Sequence, residues 1–69
     1  MIPKDVYVKV KGLMRFAKAL ASYLKDDERE DFLNEIANAL ATCIAYIIDK
    51  EATITIDLDK EKVTIKEGD

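Results

Sequence analysis

The chain has 69 residues, 36% of them charged, with a net charge of −3 and a pI of about 4.9. A length like this makes one domain, 1–69, whose folding buries only about 60% of the surface its unfolded chain exposes. Cys43 is the only cysteine and histidine is absent, so an internal disulfide is excluded and a structural zinc site has no ligand set. Packing and self-association remain as sources of stability.

Gln and Trp are also missing, and Asn occurs only at 34 and 38. Charge enrichment with few thermolabile residues is a thermophile-like composition. Met1 to Asp5 lack the apolar stretch of an export signal. The charge-free run Ile36 to Ile48 is thirteen residues long, short of the ~20 that span a bilayer. A cytoplasmic location is the expectation.

The first segment supports two periods. Val6, Val8 and Val10 alternate with Tyr7, Lys9 and Lys11, as in a strand. Val6, Val10, Leu13, Ala17 and Leu20 recur at helical spacing, and the phase carries across Gly12. Pro3 and Asp5 suit a helix start, whereas a helix beginning at Gly12 would place Arg15 and Lys18 at its positive end. The balance favours one helix over 3–25. Residues 5–11 as a third strand is the alternative.

The middle segment is a clearer helix, over 28–49. Phe32, Leu33, Ile36, Ala37, Leu40, Cys43, Ile44, Ile47 and Ile48 follow the amphipathic rule. Asp27 and Glu30 have the spacing of a capping box. Cys43 falls on the apolar stripe and is expected to act as a small core residue. The short link 25–27 makes the helices antiparallel neighbours.

Beyond residue 50 the period becomes two. Ile54, Ile56 and Leu58 alternate with Thr53, Thr55 and Asp57, and Val63 and Ile65 with Thr64 and Lys66. Strands are expected over 52–58 and 63–67, joined by a loop longer than a two-residue turn, because "DKEK" holds neither Gly nor Asn. The expected fold is α+β: an antiparallel helical hairpin, then a β-hairpin (ααββ), in two layers. The alternative is βααββ.

Charge is segregated. Residues 1–25 carry +5, residues 26–49 carry −6 and residues 50–69 carry −2. On a helix Lys4, Lys11, Arg15, Lys18 and Lys25 form a basic stripe, the kind of cluster that contacts phosphates. The acid pI and the absence of a nucleic-acid motif make a nucleic-acid-associated regulator the second reading. The first is protein interaction. Val8, Phe16 and Tyr23 share a side off the main apolar face with Gly12 and Ala19, and Tyr46 lies off the face of the second helix. Exposed aromatics beside small residues mark an interface, and a homodimer would enlarge a small core.

Catalysis has little to draw on. Ser22 is the only serine, and no base accompanies it. Asp57, Asp59 and Glu61 have the spacing that opens an EF-hand loop, but Lys62 and Gly68 stand where Gly and Glu are required. A basic first helix could lie on a membrane surface, but its apolar side is needed to cover the second helix. The expectation is a non-enzymatic, self-associating interaction module with no cofactor, no metal and no membrane contact.

Overall fold

The computed structural model describes residues 2–48 and 51–66. Its elements are α1 (Lys4–Ala21), α2 (Asp26–Ile48), β1 (Thr53–Asp57) and β2 (Lys62–Lys66), the ααββ order. Residues 5–11 are helical, not a third strand. Val6 and Val10 keep one face of α1 continuous with Met14 and Ala17, so burial along the helix outweighs the β propensity of the valines. Gly12 is tolerated there, and a Cβ at this position would meet nothing within 4 Å.

The helix borders differ from expectation at several ends. Pro3 is the N-cap of α1 instead of its first helical residue, and Asp5 lies in the first turn. At the other end α1 stops at Ala21. Residues 22–24 leave in tight turns, with the amides of Tyr23 and Leu24 donating to the carbonyls of Leu20 and Ala21 at 3.1 and 3.0 Å. Helix α2 starts at Asp26, two residues early, because the Arg29 amide already donates to the Lys25 carbonyl at 2.7 Å. Asp27 therefore lies inside the first turn, where its Oδ1 accepts from the amide of Glu28, and there is no capping box with Glu30. The expected ends at Asp49 and Glu67 lie outside the described residues.

Arg29 closes the helical hairpin. Its Nε donates to the Ala21 carbonyl at 3.1 Å, its Nη2 to the Leu24 carbonyl at 2.9 Å, and its Nη1 to Asp26 Oδ1 at 2.7 Å. Carbonyls at the end of α1 have no partner within the helix, and a cation suits that pole of the dipole.

Strands β1 and β2 pair antiparallel with Ile54 opposite Ile65 and Ile56 opposite Val63. Their link is the turn 58–61, in which the Glu61 amide donates to the Leu58 carbonyl at 3.2 Å. Glu61 has φ 52°, the left-handed region usually taken by Gly or Asn. Leu58 lies in this turn and points into the core. There it meets Val10, Met14 and Ile44, with Val6, Leu33, Leu40, Ile54, Ile56 and Val63 packed around them.

Met14 is fully buried. Met14→Ala is expected to lower unfolding free energy by about 2–5 kcal/mol, whereas Gly12→Ala, two residues away, should raise it by up to about 1 kcal/mol; urea denaturation measures both. Arg29→Lys keeps the charge but loses the fork that reaches two carbonyls. It should cost about 1–2 kcal/mol on the same assay.

Candidate interaction surfaces

The apolar arc of α1 is wider than the part covered by its neighbours. Val10, Met14, Ala17 and Ala21 are buried, but Leu13 and Leu20, expected in the core, are exposed along with Phe16 (62%). The reason is layering: the β-hairpin covers one side of the helix pair, and no described residues cover the other. On α2, Phe32, Ile36 and Ala39 line this same open side. Together these residues, with Ala17 and Leu40, form an apolar groove of about 400 Å³ between the helices.

The spacing of the groove residues is informative. Leu13, Phe16 and Leu20 advance by three and four, and Phe32, Ile36, Ala39 and Cys43 by four, three and four. That is the rhythm of residues that interdigitate with facing helices. Cys43 is exposed, not in the core as expected; it continues this open stripe of α2, as does exposed Ile47. Because of this second apolar face, Asp26–Ile48 is long and apolar enough, by length and composition, to cross a membrane. Its polar side, with Asp31, Asn34, Glu35 and Asn38, runs along the same helix.

The four expected interface residues do not form one patch. Phe16 lies in the groove. Tyr46 is exposed on α2, one helical turn from Cys43. Val8 is exposed but sits about 80° round α1 from Phe16. Tyr23, 88% exposed, falls beyond the end of α1 in the turn between helices. The expectation found the exposed aromatics but missed Leu13, Leu20, Phe32 and Ile36. Leu13 and Leu20 are exposed, and Phe32 and Ile36 half-buried at the groove, according to which side the hairpin covers, and helical spacing alone carries no sign of that.

The basic stripe is also divided. Arg15 Nε donates to Glu61 Oε1 at 2.7 Å, and Lys18 Nζ donates to Glu61 Oε2 at 3.3 Å and to the Asp59 carbonyl at 3.2 Å. Lys11 Nζ stands 5.6 Å from the ring centre of Tyr7. Lys25 lies in the link between helices, off the stripe, because α1 ends at Ala21. Of the five, Lys4 alone remains on α1 without a described contact to a neighbouring side chain.

Among the described residues no group of His, Cys, Asp and Glu is placed to hold a metal ion. Asp57 Oδ1 accepts the amide of Lys60 and Glu61 pairs with α1, so these acids shape the turn; Gly68 lies outside the described residues. No family model, curated protein or solved structure matches the chain.

The Arg15 guanidinium, then the Lys18 ammonium, hold the Glu61 carboxyl below the usual glutamate range. A lowered folded-state value means stability that is fully present above the unfolded value of about 4.3 and is lost as pH falls through the folded one. Glu61→Gln should therefore unfold at lower urea than the wild type at pH 7. The gap between the two should close as pH drops from about 5 toward 3.

Proposed function

We propose that this protein is a small non-enzymatic interaction module that works as a homodimer, joined through the groove between α1 and α2. The observation that carries this reading is the groove itself. Its walls are Leu13, Phe16, Leu20, Phe32 and Ile36 at heptad-like spacing, on a domain with six buried apolar side chains among the described residues.

Charge points to a second copy as the occupant. One wall belongs to the basic N-terminal segment and the other to the acidic middle segment. A two-fold axis running parallel to the helices lays α1 of each copy over α2 of the other. Every helix then has antiparallel neighbours of opposite charge, and the assembly is a four-helix bundle core with a β-hairpin on each outer side. An axis across the helices would oppose acidic α2 to acidic α2.

Light scattering and sedimentation over a concentration series test this. The wild type should associate, and Leu13→Asp should weaken association by about a hundredfold or more, since one buried leucine contributes about 1.5–3 kcal/mol and each substitution counts twice in a symmetric dimer. Leu13 is already exposed within the monomer, so its circular dichroism should persist. A wild type that stays monomeric at millimolar concentration overturns the proposal.

A further inference from the structure

Helix α2 presents a third side, about 160° round from Ile36. There Asn34, Ala37, Asn38 and Ala41 run alongside β1. Two adjoining hollows of about 340 and 390 Å³ lie between them and share Asn34, Ala37, Thr55 and Ile56. They make one trough, lined on α2 from Glu30 to Ala41 and, opposite, by β1 from Ile54 to Asp57 and the start of the turn at Leu58 and Asp59. The trough is about 16 Å long, the span of five residues of extended strand.

Three features of the trough fit a strand. Among the described residues the sheet has only the order β1–β2, so β1 pairs on one edge and offers backbone donors and acceptors on the other. Ala37 and Ala41 leave depth on the floor, and Asn34 and Asn38, one turn apart on α2, bring side-chain amides that both donate and accept. One end is acidic, with Glu30, Asp57 and Asp59. Neither Glu30 nor Asp59 has a cation on its carboxylate among the described ion pairs.

We infer that this trough binds an extended segment of another protein as a third strand on β1, with basic residues at the acidic end. The β1 strand of a second copy, Thr53–Asp57, carries no cation to set against this acidic end. Antiparallel addition brings the peptide's N-terminus to Asp57 and Asp59, so the basic residues should lead the segment. The trough and the groove lie on different sides of α2, and this inference does not depend on the dimer.

Three acetylated, amidated heptapeptides test it on the full chain: Lys-Lys-Thr-Val-Thr-Val-Thr, the same with Glu-Glu leading, and Thr-Val-Thr-Val-Thr-Lys-Lys. Titration by ¹⁵N NMR at low salt should shift the amides of residues 53–57 and the side-chain amides of Asn34 and Asn38. The lysine-led peptide should bind about fivefold tighter than the glutamate-led one, and tighter than the peptide with lysines last. Glu30→Gln with Asp59→Asn should erase that preference while leaving the shifts in place. No shifts at millimolar peptide, equal binding of all three, or shifts confined to Leu13, Phe16 and Leu20 would each overturn it.

Discussion

Four side chains hold the molecule together where its elements meet: Val10 and Met14 from α1, Ile44 from α2 and Leu58 from the hairpin turn. Leu58 reaches this seam from the turn 58–61, in which Glu61 sits at positive φ. A glutamate there is backbone strain unless something fixes it. Arg15 and Lys18 do so, through both carboxylate oxygens. Basic residues on α1 thus secure the corner of the hairpin, and the corner in turn supplies the core residue that α1 packs against. The interaction is local in space but spans over forty residues of sequence.

The fold was largely legible because each element carries one dominant period. The alternation in "TITID" and "KVTIK" has no helical reading, and the Phe32 to Ile48 stripe has no strand reading. Val6 to Val10 carried both periods, and Gly12 could have ended a helix. Continuity of phase decided correctly there, since burial along a whole face outweighs a few tenths of a kcal/mol of propensity per residue. The same reasoning failed for Leu13, Leu20 and Cys43. Periodicity identifies an apolar face but not whether the domain has enough other elements to cover it. Here a single two-stranded sheet is too narrow to cover both sides of two helices.

Charge was the less legible part. A basic stripe on a helix reads as a free surface when the residues facing it in space are unknown. Glu61 and the Asp59 carbonyl are more than forty positions away from Lys18, and nothing in the spacing links them. Arg29 was equally hidden. It is the single basic residue in an acidic segment, and it satisfies carbonyls at the end of the preceding helix.

A domain this small has few ways to use an uncovered surface without losing stability. Its total is on the order of 3–10 kcal/mol, so each surface that binds a partner only in the folded state adds to it by mass action. Helix α2 lies at the centre of this balance: one side faces the core, a second the groove and a third the trough. Where the unfolded population is appreciable, an occupant on either outer side raises the folded fraction and strengthens binding on the other, with no change of shape. Where the native state already dominates, the two sides bind independently. Thermodynamic coupling between groove and trough is then set by how marginal the Met14–Leu58 seam is, and it fades as that seam is made stronger.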